Sequence, residues 1–205
     1  MVLCPRSGWC SSVSDYSQPE FYSFSQDSIE LAKYVTHKTM SMNLQSLLDL
    51  GCGCGVVGIE ILIRREVGIV LDAIDCEKEW SDFFLKNCHS MIPQHKFQFH
   101  HKSFHDFLPE RKYDCIVSNP PYFTRGTGRS NPNPLTDKAR RWSEKEQIEF
   151  LKLFQLLKPD GVGFFLSRES LKHWKDLVEG HLLMLKLFED SQVAGAKIIT
   201  VTSFE

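Results

Sequence analysis

A chain of 205 residues that is 42% hydrophobic and 24% charged has material for one sizeable domain, or two small ones, with a proper core. Mean hydropathy is −0.24, no apolar run approaches the roughly 18–20 residues of a membrane span, and Met1 to Cys10 lack the apolar stretch of a secretory signal. The seven cysteines, odd in number and outside framework spacings, fit a reducing, cytoplasmic setting, and a net charge of −2 argues against a coat for nucleic acid while leaving room for a local basic face.

Residues 1–20, rich in Ser, Pro and Cys, read as a loose arm, and 21–205 as a single domain. From Asp27, the spacing of Ile29, Leu31, Ala32, Tyr34 and Val35 predicts a helix capped by Ser25 or Asp27. Ser46–Leu50 reads as a buried strand. It runs into the turn Gly51-Cys52-Gly53-Cys54-Gly55 and a helix that turns Val56, Ile59 and Leu62 inward. Gly68–Asp75 is a second strand, Glu77–Asn87 an amphipathic helix, Phe97–His101 a third strand and Tyr113–Ser118 a fourth, ending at Asn119-Pro120-Pro121-Tyr122. After a long polar loop come a helix over Glu144–Leu157, a turn at Lys158–Gly161 and a fifth strand, Val162–Leu166. Leu182–Phe188 and Lys197–Val201 suggest a closing, hairpin-like pair. This rhythm predicts an α/β fold with right-handed crossovers and a mainly parallel, doubly wound sheet. Its ligand crevice should lie at the carboxyl ends of the first and fourth strands, where the winding reverses.

The glycine turn admits two ligands. Gly53-x-Gly55-x-x-Gly58, with Asp75 twenty-two residues after Gly53, satisfies the dinucleotide fingerprint. Read instead as Asp49-x-Gly51-x-Gly53-x-Gly55, the turn suits S-adenosylmethionine, which has no pyrophosphate to cradle. Asp49 inclines the balance to the second, because an acid there can accept from turn amides or from a methionine amino group. Asp75, at its strand end, would accept from ribose hydroxyls.

Asn119-Pro120-Pro121-Tyr122 speaks to chemistry. The lone pair of an exocyclic amine or side-chain amide is delocalised into its π-system. Methyl transfer to such a nitrogen needs acceptors for both N–H groups and a lone pair aligned with the methyl donor, which is a matter of positioning and electrostatics. The Asn119 side-chain carbonyl and the Pro120 backbone carbonyl are the two acceptors, the prolines stiffen the segment, and Tyr122 offers a flat face for stacking. No metal and no strong base are required.

These residues carry a resemblance. Asp49-Leu-Gly-Cys-Gly-Cys-Gly55 together with Asn119-Pro-Pro-Tyr122 resembles the class I S-adenosylmethionine-dependent methyltransferases that methylate planar amino groups, over roughly Phe24 to Leu166. With Phe123, Gly126, Gly128 and Lys138-Ala-Arg-Arg141 following, the chain is similar to the tRNA(Val) adenine-N6 methyltransferases, which modify the adenine beside the anticodon. The resemblance implies a Rossmann-like methyltransferase fold with a mainly parallel seven-stranded sheet and helices on both faces. It implies that Asp49, Gly51, Gly53 and Gly55 hold the methionine part of the cofactor, that Asp75 binds the ribose, and that Asn119 to Tyr122 grip the target amine. Phe24-Ser25-Gln26-Asp27 resembles the segment that closes over the methionine, which brings Gln26 to the cofactor. One departure concerns the adenine amino group of the cofactor, for which the family usually places an acid after the third strand. Here Ser103 stands at that position with Asp106 three residues on, so the contact falls to Ser103, to the backbone near Phe104, or to nothing.

Arg125, Arg129, Lys138, Arg140 and Arg141 oppose one acid, Asp137, on the loop expected to overhang the catalytic strand end. With Tyr122 and Phe123 they read as a substrate face that contacts phosphates and helps splay an adenine from an RNA loop. His95, His100, His101 and His105 match no standard ligand spacing, so no metal is expected. The expected partner is RNA, tRNA first, with no membrane and a monomer favoured. Glutamine N5 methylation of a protein such as a release factor, guanine N2 methylation in ribosomal RNA, adenine methylation in DNA, and an idle cofactor-fold subunit remain alternatives.

Overall fold

The computed structural model describes residues 15–19, 26–65, 67–124 and 141–204. In chain order, helix α1 (Gln26–Lys38) precedes strand β1 (Ser46–Leu50), α2 (Val56–Ile63), β2 (Val70–Asp75), α3 (Trp80–Met91), β3 (Lys96–His101) and β4 (Tyr113–Ser118). Two short strands, β5 (Phe123–Thr124) and β6 (Arg141–Trp142), pair with each other in parallel and lead to α4 (Glu144–Leu153). A 3-10 turn at Phe154–Leu156, β7 (Leu157–Ser167), α5 (Leu171–Gly180), β8 (Leu185–Val193) and β9 (Ala196–Ser203) follow.

Strand β1 is buried at every position, as a strand covered on both faces must be. It lies between β2 and β4 in a seven-stranded sheet ordered β3-β2-β1-β4-β7-β9-β8. The pairings β2–β3, β1–β2, β1–β4 and β4–β7 are parallel, whereas β9 runs antiparallel to both β7 and β8. The sheet is therefore mixed, which corrects the expectation of a mainly parallel one. The physical reason is loop length. Only Ala194 and Gly195, both at positive φ, join β8 to β9. A two-residue turn makes an antiparallel hairpin, while a parallel return needs a crossover of roughly a dozen residues.

Two apolar layers clothe the sheet. On one face, Ile29, Ala32 and Val35 of α1, Ile59 and Leu62 of α2, and Phe84 and Cys88 of α3 share a cluster with Leu47, Leu71 and Val117. On the other, Phe150 and Leu151 of α4 and Trp174 and Leu177 of α5 pack with Leu48, Leu50 and Ile116. Helix α4 starts at a capping box in which the Ser143 hydroxyl accepts from the Glu146 N–H (3.3 Å) and the Ser143 N–H donates to Glu146 Oε2 (2.6 Å). It ends at Leu153, where the 3-10 turn takes over before the predicted end at Leu157. Helix α5, which the sequence reading did not anticipate, is capped by Ser170 and anchored by Trp174, whose indole N–H donates to Ser167 Oγ (2.8 Å).

At the amino ends of the strands, Asp114 locks β4 to β1. Its Oδ2 accepts from the N–H groups of Gln45 (3.0 Å) and Ser46 (2.9 Å) and from Ser46 Oγ (2.8 Å), and Lys158 Nζ meets its Oδ1 at 2.8 Å. Burial alone would raise this carboxyl, but Lys158, Ser46 and the backbone N–H groups outweigh it and hold the carboxyl below its ordinary value. A folded value below the unfolded one gives stability that is present above about pH 4 and lost as the pH falls further. Asp114→Ala is expected to cost roughly 1.5–3 kcal/mol at pH 7 in urea unfolding. The gap to the parent protein should narrow below about pH 4, where the parent's own Asp114 takes up a proton.

Candidate active site

The strand order reverses between β1 and β4, and Ser118 Oγ ties their carboxyl ends by donating to the Leu50 carbonyl (2.6 Å). From there the chain leaves β1 through Gly51, Gly53 and Gly55 at φ values of 64°, 52° and 90°, left-handed values that side chains adopt only at a cost. Gly55 is doubly constrained, since a Cβ there would stand 2.7 Å from the Phe84 ring. The turn directs its amides. Gly51 and Cys52 donate to the Ile74 carbonyl (2.9 and 3.0 Å), Gly53 donates to Asp75 Oδ2 (3.0 Å), and Gly58 in α2 donates to Asp49 Oδ2 (2.9 Å).

Two buried carboxylates result. Asp49 is 1% exposed, and its Oδ1 has no hydrogen-bond partner among the described residues. Burial pushes its carboxyl up to about 7, with the Gly58 N–H opposing and the charge of Asp75 adding to the rise. Asp75 also accepts from the Glu77 N–H at Oδ1 (3.0 Å), and burial carries it up to about 6 against the pull of these backbone donors.

Both acids line a cavity of about 630 Å³, inside the usual size range for small-molecule sites. Gly51, Gly53, Ser103, Phe104, Asn119 and Pro121 share its wall, so most of the predicted cofactor residues come together. Gln26, exposed at the start of α1, and Gly55 lie outside the lining. Ser103 Oγ donates to Asp106 Oδ2 (2.6 Å), which engages Asp106 away from the cavity wall. Several lining residues were missed by the sequence reading, among them Ser28, Trp80, Trp142, Lys145 and Glu149. The unmet oxygen of Asp49 fits a cationic group such as a methionine ammonium, so the donor set suits the expected cofactor.

At the end of β4, Asn119 Nδ2 donates to Ser28 Oγ (2.7 Å) and approaches Asp27 Oδ1 at 3.4 Å. The Tyr122 hydroxyl bonds both Asn119 Oδ1 (2.6 Å) and Asp27 Oδ2. Pro120 is buried, and the Arg168 guanidinium lies 4.9 Å from the centroid of the Tyr122 ring. Phe123 and Arg141 belong to the β5–β6 pair. Phe24, Ser25, Arg125, Arg129, Lys138 and Arg140 lie outside the described residues. The histidines disperse: His95 is buried, His100 meets Asp72 (2.8 Å), His101 the Cys76 carbonyl (3.1 Å) and His105 Glu149 (3.5 Å).

A folded Asp49 value near 7 against an unfolded one near 4 means that the folded chain holds this proton more tightly. The associated stability is full below about pH 4 and is lost as the pH rises to about 7. Asp49→Asn removes the titration while keeping an oxygen for the Gly58 N–H. Thermal unfolding of the ligand-free protein should therefore show a gain for Asp49→Asn over the parent at pH 8 that shrinks towards pH 5.

With this geometry in view, the chain can be set beside known proteins. The family profile Methyltransferase small domain matches residues 20–135. The tRNA1(Val) (adenine(37)-N6)-methyltransferase of Pedobacter heparinus is 35% identical over 135 residues, covering 65% of this chain and 56% of that protein. The protein of the same name from Parabacteroides distasonis is 36% identical over 134 residues, 62% of this chain and 55% of that one. The chain thus spans little more than half the length of these curated relatives. Among solved structures, the ribosomal protein L11 methylase of Lactobacillus delbrueckii subsp. bulgaricus superposes with a TM-score of 0.63 at 13% identity, over 89% of this chain and 81% of that one, a likeness of fold. The profile match covers more than half of the sequence, and the chain belongs to the methyltransferase small domain family.

Proposed function

We propose that this chain is an S-adenosylmethionine-dependent methyltransferase acting on the exocyclic amino group of a planar substrate, adenine N6 in tRNA. The observation that carries the reading is a juxtaposition. Asn119 and Pro121, from the segment suited to gripping an amine, share one cavity with Asp49, Gly51, Gly53 and Asp75, the residues suited to the methyl donor. The tRNA substrate rests further on the names of the relatives and on the basic segment around Lys138-Ala-Arg-Arg141.

The cofactor supplies an electrophilic methyl group on a sulfonium sulfur. Asp49 would hold the ammonium of its methionine part at Oδ1, which has no partner among the described residues, and the Gly51–Gly55 turn would let the backbone lie against that moiety. Asp75, whose Oδ2 accepts from the Gly53 N–H and Oδ1 from the Glu77 N–H, would bind a ribose hydroxyl with a remaining lone pair. Ser103, whose hydroxyl donates to Asp106 Oδ2 and accepts from the Asp106 N–H, would keep one lone pair for the cofactor's adenine amino group, and Phe104 shares its cavity wall. On the substrate side, Asn119 Oδ1 and the Pro120 carbonyl accept the two N–H hydrogens, which localises the nitrogen lone pair. The nitrogen proton becomes acidic once the N–C bond forms, so no strong base is needed.

Incubation with labelled S-adenosylmethionine and separate pools of tRNA, ribosomal RNA and protein tests the reading. Label is expected in N6-methyladenine of tRNA, and label confined to protein would overturn the RNA assignment. Asn119→Ala should cut turnover by about a hundred- to a thousandfold with cofactor affinity nearly unchanged. Asp75→Ala should act mainly on that affinity. If the basic segment meets phosphates, the logarithm of activity should fall linearly with the logarithm of salt, at a slope of about −0.7 to −0.9 per contact.

A further inference from the structure

Helix α1 reaches the proposed catalytic segment across 91 to 95 residues of sequence, through Asp27 and Ser28 in its first turn. Both are buried, at 4% exposure each. A carboxylate is costly to bury, and Asp27 lies with Oδ2 on the Tyr122 hydroxyl and Oδ1 on the Ser28 N–H (2.9 Å), with the Asn119 amide beyond. Three oxygens therefore stand in series: Asp27 Oδ2, the Tyr122 hydroxyl and Asn119 Oδ1. The phenol has one proton to give, and among the described residues Asp27 Oδ2 and Asn119 Oδ1 both lie within its reach.

That competition matters for an amine-gripping asparagine. A phenol proton directed at Asn119 Oδ1 occupies one of its two lone pairs and draws electron density from the oxygen meant for the target N–H. A carboxyl oxygen of Asp27 is a stronger acceptor than an amide oxygen, so Asp27 Oδ2 draws the phenol proton to itself. Ser28 completes the arrangement by accepting from Asn119 Nδ2, which keeps the amide from turning its nitrogen to the substrate.

Resting on the methyltransferase reading above, we propose that Asp27 is a positioning residue for methyl transfer: it holds the Tyr122 proton away from Asn119 Oδ1 and so leaves that oxygen free to accept the target amine. Asp27 touches neither reacting atom, and its effect passes through Tyr122.

A double-mutant cycle separates this from a role in capping α1. Asp27→Asn keeps an oxygen for the Ser28 N–H but is a weaker acceptor for the phenol. It should lower kcat roughly ten- to a hundredfold, with cofactor affinity by calorimetry changed less than about twofold. In the Tyr122→Phe background no phenol proton competes, and the same substitution should cost less than about twofold in kcat. Equal losses in the two backgrounds would overturn the proposal, because a merely structural Asp27 is indifferent to the Tyr122 hydroxyl. A loss that follows cofactor affinity would also overturn it. The cycle is read on whichever pool accepts label from the parent protein, so a protein substrate sinks the tRNA reading and leaves this one to be judged. If the parent protein labels no pool, both readings fall.

Discussion

Keeping Asp49 ionised at 1% exposure, with one oxygen on a helix N–H and the other unmet, works against the fold, and the nearby charge of Asp75 adds to the difficulty. Such a site has a preference built into it. A positively charged guest relieves the strain of the two carboxylates, and a negatively charged one aggravates it. The glycine spacing alone admits a dinucleotide as readily as a sulfonium cofactor, but the folded turn does not treat them alike. The Gly58 N–H, which a pyrophosphate at the start of α2 would seek, is already committed to Asp49. An anion there would have to displace a carboxylate and then sit beside it. The sulfonium and ammonium of S-adenosylmethionine meet the opposite condition, and this carries the choice further than the count of glycines.

The rest of the site depends on where that turn is held. The reversal of strand order leaves β1 and β4 side by side with their connections departing in opposite directions, and the Ser118–Leu50 bond pins the two strand ends together. The segment suited to the methyl donor and the segment suited to the acceptor thereby become neighbours across one strand spacing. Asp114 does the equivalent at the other end of the same pair of strands. The two central strands are fixed at both ends, and the cavity wall inherits their rigidity.

Much of this was legible in the sequence where the signal is local. The glycines at Gly51, Gly53 and Gly55 announce left-handed backbone, the apolar runs Leu47-Leu48 of β1 and Cys115-Ile116-Val117 of β4 announce burial on two faces, and Asn119-Pro-Pro-Tyr122 sits at a strand end because prolines cannot continue a central strand. What escaped notice depends on partners distant in sequence. Asp27 was legible as a helix cap, and its bond to Tyr122 was not, because no periodicity encodes a contact across 95 residues. Trp142 of β6 and Lys145 and Glu149 of α4 share the cavity wall with residues distant in sequence, and the spacing of the two α4 residues alone describes an ordinary amphipathic helix. The signal available was the capping box at Ser143 and Glu146, which sets the start of that helix at Glu144. The antiparallel β9 was half visible: its hairpin with β8 follows from the short turn, but its insertion between β7 and β8 is a property of the whole sheet.

Tyr122 shows how such distant contacts bear on function. Its backbone follows two prolines that hold φ near one value, its hydroxyl is tied to α1, and one face of its ring is covered by Arg168, from the loop after β7. Three independent elements thus immobilise one side chain before any substrate arrives. Ordering a free side chain on binding costs about 0.5–1.5 kcal/mol, and here that ordering is part of folding instead. On the proposed reading, a ring held in this way would present a planar guest in one orientation. Under the proposed function, in which the catalyst supplies little beyond alignment, such prior commitment of Tyr122 and Asn119 would be where α1 and the loop after β7 enter the chemistry.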